Sequence, residues 1–239
     1  MQFDPDHQLD PGRPGASARA EFARRSQRDD ARRQQVFGRY LARLVKVFGG
    51  PKRTTEAWDR GGRGEELVGN YLARAVGDLG LVLHDRAIPG WRSNIDHIAV
   101  VPSGVWVIDT KQYRGRVQRR DRGGWCAPRP ALLVNGHDRS GLVAGAQRQS
   151  RRVQEAVPSA GLARAVLCFA GAEWAPLARP FTIDGVVVTG PRQLARSLVK
   201  PGRLTPRQVE SLAAVIAGAF PPYAPSGTSH RPTGAPPKG

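Results

Sequence analysis

Residues 94–111, NIDHIAVVPSGVWVIDTK, place charged side chains inside two runs that otherwise read as buried strands. A strand covered on both faces is continuously apolar. These two are, except at Asp96, His97, Asp109, Thr110 and Lys111. An unpaired charge buried in a sheet costs several kcal/mol, so these positions need compensating partners. Asp109 and Lys111 are two residues apart and share one face of their strand. The position of Asp96 depends on the turn between the strands. A two-residue turn at Pro102-Ser103 sets Asp96 opposite Asp109. A three-residue loop shifts the register by one and sends Asp96 to the other face, unless a bulge corrects it.

Two carboxylates converging at a strand end are hard oxygen ligands of the kind that hold Mg²⁺ or Mn²⁺. A lysine beside them orients a water and offsets negative charge building on phosphate oxygens. Together they suit metal-assisted hydrolysis of a phosphodiester. A plain ion pair of Lys111 with Asp96 or Asp109 at a sheet edge is the other reading. Glu65 supplies a third acid. It precedes Val68 and Leu72 by three and seven residues on a helix expected over 64–77, so it faces the sheet, while Glu66 turns away. An acid placed favourably in a first helical turn is its alternative. Of the 37 basic residues only five are lysine, at 46, 52, 111, 200 and 238. In a chain that defaults to arginine, a lysine inside an apolar strand carries more weight.

The rest of the chain frames these strands. Residues 1–30 mix Pro, Gly, Asp and Arg without periodicity and read as a disordered arm. Residues 31–50 read as a basic amphipathic helix, with Phe37, Tyr40, Leu41, Leu44, Val45 and Phe48 at helical spacing. Residues 221–239, rich in Pro and Gly, read as a disordered tail. Between them, helix 64–77 leads to strands 81–88, 94–101 and 104–113, with a further strand-like piece at 131–134. A helix over 142–157 follows, then strands 163–170 and 185–189. Helices start at Pro191 and after Thr205-Pro206. The order predicts one α/β domain over 57–220 with a central mixed β-sheet flanked by helices.

The 239 residues carry a net charge of +17, which calls for a polyanionic partner. The charge concentrates in residues 111–122, KQYRGRVQRRDR, where Lys111, Arg114, Arg116, Arg119, Arg120 and Arg122 face Asp121 alone. Arg148, Arg151 and Arg152 add a basic helix face. Such arginines contact phosphates without reading sequence; a solvated arginine-rich loop is the other account. Tyr113, Trp91 and Trp125 suit either stacking on unpaired bases or packing at the core and rim. His97 is expected in the core, and His84 and His137 stand as single residues. Cys126 and Cys168 form no CxxC, which argues against a disulfide scaffold or a thiolate zinc site. No P-loop, HExxH or GxSxG is present. No apolar run reaches the length of a membrane span, and the N-terminal residues read as no secretory signal, so a cytoplasmic location is expected.

The runs WDRGGRGEELVGNYL and NIDHIAVVPSGVWVIDTKQYRG resemble the nuclease-related domain, NERD, grouped with the restriction-endonuclease-like PD-(D/E)XK nucleases. The resemblance spans roughly 57–200 and rests on Gly64-Glu65, Ile95-Asp96-His97 and Ile108-Asp109-Thr110-Lys111. It implies a restriction-endonuclease-like α/β core. By it, Glu65, Asp96 and Asp109 hold a divalent metal, Mg²⁺ or Mn²⁺, Lys111 assists the attacking water, and all four are catalytic. Gln147 resembles a glutamine that opens the family's later helix; Arg151 stands where some relatives carry tyrosine. Arg114, Arg116, Arg119, Arg120, Gln147 and Arg151 are the expected nucleic-acid contacts. The expected function is metal-dependent hydrolysis of nucleic acid, DNA before RNA. The alternatives are a non-catalytic DNA-binding module of the same fold and a membrane-peripheral protein docked by residues 31–48. The oligomeric state stays open.

Overall fold

The computed structural model describes residues 10–14, 53–91, 93–123, 129–157, 161–174 and 179–223, with the backbone alone for 53–64. In chain order the elements are α1 (Arg53–Val76), β1 (Leu81–Ala87), β2 (Asn94–Val101), β3 (Gly104–Lys111), β4 (Gly115–Asp121), β5 (Pro130–Val134), β6 (His137–Asp138), α2 (Ser140–Ala156), β7 (Ala163–Phe169), β8 (Ala172–Glu173), β9 (Phe181–Ile183), β10 (Val186–Thr189), α3 (Pro191–Leu198) and α4 (Pro206–Ala219). A mixed six-stranded sheet runs β1-β2-β3-β7-β10-β9. Its first three strands are antiparallel, and β7 lies parallel to both β3 and β10.

Alternation along β3 sorts the two layers. Trp106 and Ile108 pack with Val68 and Leu72 of α1 and Leu194 and Leu198 of α3. Val105 and Val107 pack with Val153 of α2 and with Val209 and Leu212 of α4. Helix α4 starts as its sequence predicts. Thr205 and Gln208 form a reciprocal capping box, with Pro206 in the first turn.

The turn that decides the register has two residues. Val101 pairs with Gly104, and the ladder continues to His97 opposite Ile108. Pro102 and Ser103 are therefore the whole loop, and the same register carries Asp96 to the level of Asp109. The turn is pinned from the α3–α4 connection. Pro102 O accepts from Leu204 N–H at 3.1 Å. Ser103 Oγ donates to Leu198 O and accepts from Trp106 Nε1, both at 3.1 Å.

Three features differ from the sequence expectation. Helix α1 begins at Arg53 and runs through Gly61, Gly62 and Gly64, although each interior glycine costs roughly 1 kcal/mol relative to alanine. Glu65 therefore lies mid-helix, and the first-turn explanation for it falls away. The basic stretch after β3 is not a loop but strand β4, in a second sheet of order β6-β5-β4-β8. Val117 is its one buried residue, so pairing with β5 rather than alternation of apolar side chains defines it. Finally, parts of the expected arm and tail are packed. Pro11 O accepts from His84 N–H at 2.6 Å, Pro221 O from Ala87 N–H at 2.8 Å, and Asp85 O from Tyr223 N–H at 2.7 Å. These pieces cover the outer edge of β1, which otherwise presents unpaired backbone groups. The remainder of the arm and tail, the amphipathic helix of 31–50, Trp125 and Cys126 lie outside the described residues. No described helix is long and apolar enough to cross a membrane.

Candidate active site

Both ladders of β2 open at Asp96. On one side, pairing with β1 passes from His84 opposite His97 to Arg86 opposite Ile95, skipping the rung of Asp85 and Asp96. Asp85 has φ 49°, a left-handed backbone conformation in mid-strand, one that Asp adopts more readily than most residues. On the other side, the β2–β3 ladder ends at His97 and Ile108. The next donor, Thr110 N–H, is taken instead by Asp96 Oδ2 at 2.7 Å. A side-chain carboxylate thus replaces a backbone carbonyl in the sheet, and Asp96 is held in place at a strand end.

Three acids and one cation gather there. Asp96 and Asp109 are buried, at 9% and 6% exposure. Lys111 Nζ donates to Asp109 Oδ1 at 2.5 Å. Glu65 is half-buried, one helical turn before the buried Val68, which anchors that face of α1 against the sheet. Their charges act on one another. Burial, then Glu65, then Asp109 push the Asp96 carboxyl well above its ordinary value; Lys111 and the Thr110 N–H oppose the rise without cancelling it. Burial disfavours the Lys111 ammonium, but Asp109, Asp96 and Glu65 outweigh it and raise its pKa, so it stays protonated. A protonated lysine is no general base; it orients and neutralises. Next to the cluster, burial and then Asp109 and Asp96 raise the Cys168 thiol, which excludes a thiolate nucleophile.

In donor chemistry the acids suit a hard divalent cation, since two buried carboxylates and a half-buried third act on one another beside Lys111. Their spacing is looser than a closed coordination sphere: among the described residues no group of three His, Cys, Asp or Glu side chains stands in metal-holding range. Lys111 holds Asp109 by itself.

Of the other expected residues, Arg114, Arg116, Arg119 and Arg120 are exposed on and before β4, and Arg151 is exposed on α2. Gln147 does not open its helix; it is the eighth residue of α2, and its Nε2 donates to Asp184 O in the β9–β10 turn at 2.6 Å. That bond ties it to the fold rather than to the acids. Tyr113 packs near Phe169, with Arg139 over its ring, and Arg152 lies over Trp91. His84 is not a single residue. It faces His97 across the β1–β2 ladder, the two Nδ1 atoms 3.0 Å apart. One ring must donate and the other accept, which requires the accepting ring to be neutral. Burial, then Arg86, lowers His84 to about 4; burial, then His84, lowers His97 to about 3.

Sequence reasoning missed Trp174, Arg192 and Arg196, which line a cleft on the α1–α3 face of the sheet. No local pattern joins them, because they meet only through the crossing of β7, β10 and α3.

The chain matches the family model of the nuclease-related domain over residues 60–189, more than half of its length. No curated protein and no solved structure matches it. The matched segment contains α1 from Arg60, both sheets and α2, with all four residues of the acid–lysine cluster. A mixed sheet flanked by helices is consistent with the restriction-endonuclease-like core of the PD-(D/E)XK group. On the extent of that match, the protein belongs to the nuclease-related domain (NERD) family.

Proposed function

We propose that the protein is a divalent-metal-dependent nuclease that hydrolyses phosphodiester bonds of nucleic acid, with DNA its preferred substrate. One observation carries the reading: Asp96 is fixed by Thr110 N–H at a break in both ladders and buried against the charges of Glu65 and Asp109. A fold seeking stability alone gains nothing from such mutual repulsion. Concentrated, unfavourable charge in one place is a mark of function.

In this reading Asp96, Asp109 and Glu65 would hold the metal, Mg²⁺ or Mn²⁺, which when bound would supply an activated water and offset charge on the phosphate. Thr110 N–H keeps the Asp96 carboxylate oriented. Lys111, held protonated, steadies the water and balances the negative charge that develops on the phosphate oxygens. The exposed arginines of β4 grip the backbone without reading its sequence.

The ion pair between Lys111 and Asp109, with the loose spacing of the acids, favours one other reading, a nucleic-acid-binding module of the same fold that does not cleave. One assay separates the two. Linear, nicked, branched and single-stranded DNA are incubated with the purified protein, with and without Mg²⁺ or Mn²⁺, beside Asp109→Ala and Lys111→Ala. Metal-dependent cleavage lost in both variants is the expected result. Cleavage that survives in both overturns the site assignment, and no cleavage of any substrate leaves the binding module.

A further inference from the structure

Two clefts meet at Trp174. The first, about 710 Å³, is walled by Leu67 and Tyr71 of α1 and by Arg192 and Arg196 of α3. The second, about 720 Å³, is walled by Arg116 and Arg119 of β4 and by Arg179 and Phe181. Trp174 lines both.

The first cleft opens on the α1–α3 face of the sheet, near the end of β3. Its lining includes Gln112, which follows Lys111, and Ala170, whose N–H donates to Lys111 O at 3.0 Å. Its lining also includes Val68, one helical turn from Glu65. Leu67 and Tyr71 are 71% and 42% exposed, although helical spacing marks them for the core. Both charges in this lining are arginines, and the second cleft holds three arginines against Glu173. The combination of an exposed tyrosine, a half-buried tryptophan and five arginines against one acid fits a polyanion that also has flat apolar faces. Base stacking on aromatic side chains beside a basic track is the mode by which single-stranded nucleic acid binds without sequence preference. In a continuous duplex the base faces are already stacked. Each cleft also has the volume of a small-ligand site.

Trp174 is fixed at the junction. Its indole sits 3.5 Å from Phe169 O, and its ring packs 6.5 Å from that of Phe181. Gly190 permits this approach, because a Cβ there would lie 2.9 Å from Nε1.

We infer that the two clefts form one track for an unpaired strand, with Trp174 stacking on the bases as the strand passes between them. The inference rests on the nucleic-acid reading of the protein and deepens it by naming a substrate class, nucleic acid with a single-stranded segment.

The test is binding without cleavage. A fluorescein-labelled 20-nucleotide single strand of mixed sequence and its duplex are titrated in EDTA, with fluorescence anisotropy as the readout. The full chain is compared with Trp174→Ala, Trp174→Phe and the double variant Arg192→Glu/Arg196→Glu, each checked by circular dichroism and thermal melting. The single strand is expected to bind more tightly than the duplex. Trp174→Ala should weaken single-strand binding about tenfold, the effect of losing one stacked base, and Trp174→Phe should restore most of it. The arginine pair lies on an exposed helix face and should lose about as much even if Trp174→Ala does not fold. Equal affinity for single strand and duplex overturns the proposal, as does wild-type binding by folded Trp174→Ala or by the arginine variant. Failure of the nuclease reading looks different: no phosphodiester is cut with Mg²⁺ or Mn²⁺, whatever the anisotropy shows.

Discussion

Asp96 Oδ2 accepts the N–H of Thr110 at 2.7 Å, taking the rung that a main-chain carbonyl of β2 would otherwise hold. The bond needs an acceptor, not a charge, and this separates the structural role of Asp96 from its chemical one. Its raised pKa means that the folded protein binds this proton more tightly than the unfolded chain. Stability from that site is present at pH below the ordinary carboxylate value and is lost as pH rises through the folded value. Asp96→Asn keeps the acceptor and removes the charge. At neutral pH it should stabilise the fold by at least about 1 kcal/mol, a rise of roughly 2–4 °C in a domain of this size, while abolishing cleavage. Thermal melts of both proteins between pH 5 and 8 measure it; a lower melting temperature for the variant contradicts the account.

A cation bound among the acids relieves the same repulsion. Millimolar Mg²⁺ or Mn²⁺ should therefore raise the melting temperature of the wild-type protein, with a gain near 2.7 kcal/mol at a hundredfold excess over Kd. Asp109→Asn should lose most of the shift. A wild-type melting temperature that neither metal moves removes the metal from the proposed mechanism, independently of any activity assay.

The histidine pair sets the acid limit of the fold. Unfolded histidines take up protons near pH 6.5, whereas His84 and His97 in the folded protein resist until about 4 and about 3. Between these values the unfolded chain binds more protons, so stability falls as pH falls. The slope should approach about 1.4 kcal/mol per pH unit for each histidine. Urea unfolding at pH 7, 6 and 5 reads it directly, and His84→Gln should halve it. A slope unchanged in that variant would place the acid sensitivity elsewhere.

The hairpin that carries Asp96 and Asp109 depends on a glycine far from it in sequence. A Cβ on Gly202 would lie 1.8 Å from Pro102 O, a backbone atom that cannot swing aside. Gly202→Ala should cost about 2 kcal/mol or more. Gly141, in the first turn of α2, has open space around it and no left-handed backbone. Gly141→Ala should stabilise by about 0.5 kcal/mol. Denaturant midpoints of the two variants, moving in opposite directions, are the expected result.

What was legible in the sequence was local. Strand β2, the Pro102-Ser103 turn and the capped start of α4 each declare themselves within a few residues. Strand β4 does not, because only Val117 is buried and its pairing partners lie in β5. The acids were legible because charge is conspicuous in an apolar strand. The register that brings Asp96 level with Asp109 was legible only as a condition on loop length. The pairing of His84 was not legible because its partner is thirteen residues away across a ladder, nor was the place of Trp174, because its two clefts are assembled from five separate elements.

The guanidinium of Arg86 is 1% exposed and donates to Phe220 O, Ala217 O and Asp10 O at 2.6, 3.2 and 3.0 Å. Two of these acceptors are made at the end of α4, more than 130 residues after the arginine. During synthesis, then, β1 leaves the ribosome with a cation it cannot bury until almost all of the described chain has followed. A chain cut short before Ala217 lacks two of the three carbonyls that satisfy this cation, so its β1 edge has no full set of partners for the charge it carries.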